Sequence, residues 1–114
     1  MSKQSLAILT LSAVAAAQIT ANRFVSASYG VPAGAANTIG VAESGAAIGE
    51  RFPVTNQGTA IVETGGAIAA GALVETDASG RAVTKSAGVT QGRLAPGESA
   101  TAAGQFVEVI LFPN

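Results

Sequence analysis

One short pattern recurs along the chain and limits what it can fold into. Small residues lead to a glycine or an asparagine, one spacer follows, and a large apolar residue then opens a β-prone run. The pattern is clearest at Gly71 and Gly104 and fits more loosely at Asn22 and Gly49. Because glycine and asparagine tolerate positive φ, each copy predicts a turn that starts a strand. The copies are irregularly spaced, which is typical of an ordinary glycine-rich β protein and not of a solenoid.

The strongest local signal is a β-hairpin that follows Gly71. Residues 73–76 and 81–84 are β-prone runs, and the segment 77–80, Asp-Ala-Ser-Gly, separates them. Asp77 can bond the backbone ahead of it, and Gly80 accepts the left-handed conformation that closes such a turn. The segment therefore predicts two antiparallel strands joined by a tight turn.

Other segments predict further strands. Residues 105–112 alternate with apolar side chains on both faces, which is typical of a strand in the middle of a sandwich or barrel. Residues 51–55 and 59–64 are predicted to form two strands joined by a three-residue hairpin loop, 56–58, with glycine at its end. In the first of these strands Pro53 lacks a backbone donor, so we expect an edge strand or a bulge there.

These signals together predict the fold class. The chain of 114 residues is expected to be a single domain, 1–114, and an all-β, compact, sandwich-like or barrel-like structure of short strands and hairpins. Its alanine-rich segments are short, so we expect one brief helix at most. Residues 1–18 are predicted to form an extended N-terminal arm.

The composition predicts a thin core. Alanine supplies 25 residues of the hydrophobic fraction, and only 30 are Val, Ile, Leu, Met, Phe or Tyr. Each alanine buries little apolar area, and the chain has no cysteine for a disulfide. We therefore expect a partner surface or an oligomer to contribute to stability.

The charged residues exclude several classes of function. Six basic and seven acidic residues are scattered singly, so nucleic acid is not an expected partner. Histidine and cysteine are absent, which removes the commonest general base and the ligands of structural zinc. Glu75 and Asp77 would share a strand face, but we interpret both as solvated residues beside the turn. We expect no catalytic residue, no metal and no cofactor.

The N-terminus allows two interpretations. Lys3, the apolar run 6–14 and the alanines 15–17 resemble a secretory signal peptide. Thr10 and Ser12 interrupt the apolar run, and the same residues suit a β-strand equally well. No run approaches the ~20 apolar residues that a membrane helix needs, so no membrane partner is expected.

A resemblance to a known family is carried by seven segments in this order: Leu9–Ala13, Arg23–Val25, Ile39–Ala42, Gly49 with Val54, Gly71–Val74 with Asp77 and Gly80, Gln91–Leu94 and Val107–Val109. The chain is similar to the small head-decoration, or capsid cement, proteins of tailed bacteriophages over about residues 6–111. The resemblance implies a compact β domain, a homotrimer, and attachment to the outer surface of a capsid, where it clamps neighbouring major capsid subunits after synthesis in the host cytoplasm.

The family's lattice contacts follow no fixed motif, so contact residues are hypotheses from side-chain type. We expect the segment 2–11 to reach over a neighbouring subunit. The large apolar side chains of the strand 105–112 either contact another chain or fill the monomer core. The candidate residues are Leu6, Ile8, Leu9, Leu11, Phe106, Ile110 and Phe112. Two other functions stay open: a secreted adhesin or glycan-binding module, and another virion β domain in a tail or baseplate.

Overall fold

The computed structural model describes residues 7–112, and these form an all-β, nearly closed barrel-like sheet of antiparallel strands with no helix. The predicted fold class is confirmed. The described residues have a radius of gyration of 12.5 Å. The strands are β1 Ala7–Val14, β2 Phe24–Ser26, β3 Thr38–Ala42, β4 Arg51–Glu63, β5 Leu73–Thr76, β6 Ala82–Thr84, β7 Gly92–Leu94 and β8 Phe106–Leu111.

Strand β4 organises the sheet, because its 13 residues take part in three ladders. Its first part, 51–58, pairs with β1, and its second part, 59–63, pairs with β8. Val54 and Thr55 pair with β1 and also with β3. A strand has two edges, so β1 and β3 lie on opposite edges of β4.

The second part of β4 belongs to the barrel. The strand order there is β4-β8-β7-β5-β6, and a parallel bridge between Thr64 and Ala82 brings β6 back beside the end of β4. Strand β8 lies between β4 and β7, which confirms the central position predicted for residues 105–112. One hydrophobic core fills this barrel and includes Val62, Ile68, Val74, Leu94, Val107 and Val109.

A second core lies on the other half of β4. It is formed by buried side chains of β1, β2, β3 and the loops that flank them. Its members are Ala13, Ala15, Ile19, Val25, Ala42, Ala46, Phe52 and Val54. Four of these eight are alanine, which confirms that this part of the molecule is thin in large side chains.

The glycine and asparagine pattern is confirmed at all four positions. Asn22, Gly49, Gly71 and Gly104 have φ between 64° and 88°. Each is followed, two residues later, by the first residue of β2, β4, β5 or β8. The recurring pattern is therefore a device that starts a strand.

The hairpin of β5 and β6 is also confirmed. Asp77 N–H donates to the Arg81 carbonyl at 2.9 Å, and the Asp77 carboxylate accepts from the N–H groups of Ser79 and Arg81. Gly80 has φ 83°. The turn forms because aspartate and glycine supply the acceptor and the left-handed conformation it needs.

The hairpin predicted for 51–64 is wrong, because β4 runs through residues 56–58 without turning back. Gly58 does have a positive φ, 106°, but it bends one strand and does not join two. The register with β1 skips Asn56, whose side chain donates to the Ile39 carbonyl at 2.6 Å. A bulge and a turn use the same residue types, and pairing with β1 and β8 decides between them.

Pro53 lies in a central strand that carries a bulge, so of the two predicted alternatives, an edge strand or a bulge, the bulge is confirmed. It faces Ser12 of β1 in the register. Its carbonyl accepts from Glu43 N–H at 3.0 Å, one residue beyond the end of β3. In a strand the N–H and the carbonyl of one residue point to the same side. The N–H that proline lacks would therefore point toward β3, at a position where the ladder between β3 and β4 has already ended.

Candidate interaction surfaces

Two exposed apolar side chains of the predicted set lie at the start of β1. Ile8 is 72% exposed and Leu9 is 40% exposed. Leu11 is half-buried and packs against the second core, so the structure separates it from the other two. Leu6 lies outside the described residues.

A bulge explains the exposure of Ile8. Ala7 pairs with Gly58 and Leu9 pairs with Gln57, which leaves Ile8 as an extra residue on β1 without a register partner. A bulged residue is turned out of the regular alternation. The chain therefore presents an isoleucine to solvent at a position that has no register partner on β4. We name Ile8 and Leu9 the β1 tip.

A second apolar surface lies on the outside of the barrel. Phe106 is 45% exposed and Ile110 is half-buried, and both alternate with the buried Val107 and Val109. Their neighbours across the ladders include Glu63 beside Phe106 and Arg93 beside Ile110. We name Phe106 and Ile110 the β8 face.

Phe112 occupies a different place from the β8 face. Together with Leu111 it lines a half-open cleft of about 250 Å³ between the end of β8 and the start of β3. Asn56 and Gln91 also line the cleft, and their amide groups are already bonded to backbone carbonyls. None of the three predicted residues of the strand belongs to either core.

The buried carboxylates hold loops in place. Glu75 is only 8% exposed, so its interpretation as a solvated residue is wrong. It accepts from the N–H groups of Ser86 and Gly88, at 2.7 and 3.0 Å, and thereby fixes the loop after β6. Glu98 is buried in the same way and accepts from Glu108 N–H at 2.8 Å. Backbone donors, which no sequence pattern reveals at these separations, explain why both acids are inside.

Two ion pairs form among residues 7–112. Arg23 Nε lies 3.2 Å from Glu63 Oε1, and Arg81 Nε lies 3.2 Å from Asp77 Oδ2. Within residues 7–112 no three His, Cys, Asp or Glu residues come together in a group that could hold a metal ion. In the same range, no helix has the length and apolarity needed to cross a membrane.

Sequence reasoning missed several exposed apolar residues and one polar contact. Val14 and Ile48 are 43% and 72% exposed. Glu43 was not singled out, yet its Oε2 accepts from Thr10 on β1 at 3.1 Å and from Thr55 on β4 at 2.8 Å. The contact joins residues 33 and 12 positions apart, and only the sheet brings them together.

The fold and these surfaces define a small β protein with exposed apolar side chains at the β1 tip and on the β8 face. The chain belongs to the phage cement protein family, whose model matches residues 3–111. It is therefore a structural protein of the phage virion that associates with the capsid. No curated protein matches the chain.

A solved structure supports the fold. The chain is similar to the head fiber gp8.5 N base in bacteriophage phi29, with a TM-score of 0.74 and 21% sequence identity. The match covers 91% of this chain and 93% of that chain. At this identity the similarity shows that the two share a fold.

Proposed function

We propose that the protein binds the outer surface of the capsid as a homotrimer and cements neighbouring major capsid subunits. Membership of the phage cement family supports this role. Many copies on a symmetric shell add a large total stabilisation from modest individual contacts. A protein that works in this way needs complementary surfaces and no reactive groups.

The observation that carries the proposal is the exposed β1 tip. An isoleucine that is 72% exposed, beside a leucine that is 40% exposed, places apolar area in water with no cover from the described chain. No charged residue lies between Ala7 and Val14. Exposed apolar patches of this kind mark contacts with other proteins. We assign the β1 tip to the contact with a capsid subunit and the β8 face to the contact between copies in the trimer.

The test uses capsid shells that lack this protein. Ile8→Ser removes apolar area without touching either core, so the variant keeps its fold and binds the shells at least about tenfold more weakly, because roughly 1.5–3 kcal/mol of burial is lost. Co-sedimentation gives the occupancy, and the melting temperature of the decorated shells gives the reinforcement.

Ile48→Ser is the matched control. Ile48 has the same exposed fraction, 72%, but lies in the loop before β4, near the opposite end of β1. This variant is expected to bind and stabilise the shells as the unaltered protein does. Equal occupancy for Ile8→Ser and the unaltered protein would contradict the assignment of the β1 tip. Shells that no version of the protein binds or stabilises would contradict the cementing function itself.

A further inference from the structure

Among residues 7–112, β1 is paired along one edge, and its other edge is left open over several residues. The outer edge of β2 is closed, because Phe24 N–H donates to the Gly80 carbonyl and Ser26 N–H to the Gly30 carbonyl. The outer edge of β6 is closed by its bridge to Thr64 and by Gly65 N–H, which donates to the Ala82 carbonyl. Strand β1 pairs with β4 alone.

The backbone groups that face this open edge can be identified. Ala15 donates to Glu50 on the β4 side, whereas Ala16 donates to Tyr29 on the other side. Backbone groups alternate between the two edges of a strand. Thr10, Ser12 and Val14 therefore direct their N–H and carbonyl groups away from β4.

The open stretch is short and has defined ends. At one end, the Tyr29 carbonyl already occupies the outward donor of Ala16. At the other end, the bulge at Ile8 interrupts the regular ladder. Five residues, 10–14, remain regular between these ends. They contain no charge and no proline, the usual features by which natural proteins block pairing at an exposed edge.

We propose that this edge pairs with the same edge of a second copy, about a twofold axis at Ser12. Antiparallel pairing centred there sets Ser12 opposite Ser12 and Thr10 opposite Val14, so each outward group meets an outward group. The facing residues Thr10, Ser12 and Val14 span the whole regular stretch 10–14. The two sheets would then continue into one another across the axis.

The charges beside β1 favour a second copy over other partners. Glu43 is bonded to Thr10, and Arg51 lies beside Val14 on β4. Within residues 7–112 neither Glu43 nor Arg51 has an ion-pair partner. Pairing about Ser12 brings Thr10 of one copy next to Val14 of the other copy, and Arg51 of that other copy lies one strand further on. Two strand spacings of ~4.8 Å each then separate Thr10 from this Arg51. An arginine side chain spans much of that distance, so two reciprocal Glu43–Arg51 pairs form.

This contact is additional to the proposed function. The β1 tip, which we assign to the capsid subunit, lies outside the stretch 10–14. The twofold contact would link copies, or trimers, that sit next to one another on the shell. It can also be measured without any shell.

Ser12→Pro tests the backbone pairing. Proline removes an N–H that faces the open edge, and it leaves the ladder to β4 intact, because that ladder uses the alternate residues. Sedimentation over a concentration series is expected to give the unaltered protein an average mass about twice that of the variant or more, since each open edge joins two copies. Ser12→Ala, which keeps the N–H, is the control and associates normally. Circular dichroism confirms that both variants fold.

Charge reversal tests the register. Glu43→Lys and Arg51→Glu are each expected to weaken self-association by roughly tenfold, because two attractive pairs become repulsive. The double variant Glu43→Lys with Arg51→Glu restores the pairs and recovers most of the association. Lys85→Glu, just after β6 and outside both the β1 edge and the β8 face, is the control and has no effect.

Three results would overturn the proposal. They are unchanged association of Ser12→Pro, no recovery in the double variant, and protection of the Ser12 amide from hydrogen exchange that appears only when shells are added. The last result would assign the edge to a capsid strand. A protein that self-associates as proposed but ignores shells would refute the proposed function and leave this contact standing.

Discussion

At the scale of single residues, the positions that matter most are glycines with positive φ. Gly71 and Gly104 have open space where a side chain would be added. Gly80 is different, because an added Cβ would lie 2.8 Å from the Phe24 carbonyl oxygen. Backbone conformation alone requires glycine at the first two positions, and conformation and space both require it at the third.

Three alanine substitutions separate these causes. Gly66 has open space and no positive φ, so Gly66→Ala is expected to leave stability unchanged or to raise it by about 0.4–1 kcal/mol. Gly104→Ala costs about 1 kcal/mol through its conformation. Gly80→Ala costs more than about 2 kcal/mol, because strain and a clash add. Chemical denaturation gives the three free energies of unfolding, and an equal cost at Gly80 and Gly66 would contradict this account.

The exposure of single residues also shows how much of the candidate contact surface could be predicted from the sequence. Ile8, Leu9 and Phe106 were selected by side-chain type and alternation, and all three are exposed. Leu11 was selected for the same reason, yet it packs against the second core. Whether an apolar side chain of an edge strand is covered depends on register and bulges, which are set by distant strands.

At the scale of elements, turn chemistry predicted where strands start but not how they pair. The hairpin of β5 and β6 was predictable because its turn is local. Strand β4 was not, because Gly58 and Asn56 have the residue types of a hairpin loop while the partners of β4 lie in β1 and β8. Long-range pairing overrides local preference when a glycine can serve a bend as well as a turn.

Gly58→Ala tests the continuity of β4. With φ of 106°, an alanine there is strained, and we expect a cost of about 1–3 kcal/mol. Hydrogen exchange should become faster in β1 and in β8 together, because the bend connects their two ladders. The neighbouring substitution Gln57→Ala leaves the backbone unstrained and should change stability by no more than about 0.5 kcal/mol. Faster exchange confined to one of the two strands would show that the halves of β4 act separately.

At the scale of the whole molecule, two cores share one strand. Phe52 and Val54 of β4 belong to the second core, and Ala60 and Val62 of the same strand belong to the barrel core. Neither core can lose its part of β4 without disturbing the other. We therefore expect the described domain to unfold in a single cooperative transition.

Val25→Ala and Val74→Ala test this coupling, because each removes the same two methyl groups from a different core and neither lies on β4. Each is expected to cost about 1.5–3 kcal/mol. Both should shift one calorimetric transition to lower temperature and keep it single. A second transition in the Val25→Ala variant would mean that the second core melts alone.

Because β4 runs through both the barrel core and the second core, it also determines how the molecule transmits a mechanical force. Inter-strand hydrogen bonds run across the strands, so a pull along β1 strains its whole ladder with β4 at once instead of opening it bond by bond. From β4 the tension continues into the barrel through covalent backbone. Under the proposed capsid contact at the β1 tip, stress from an expanding shell would reach the far side of the molecule without depending on any side-chain contact.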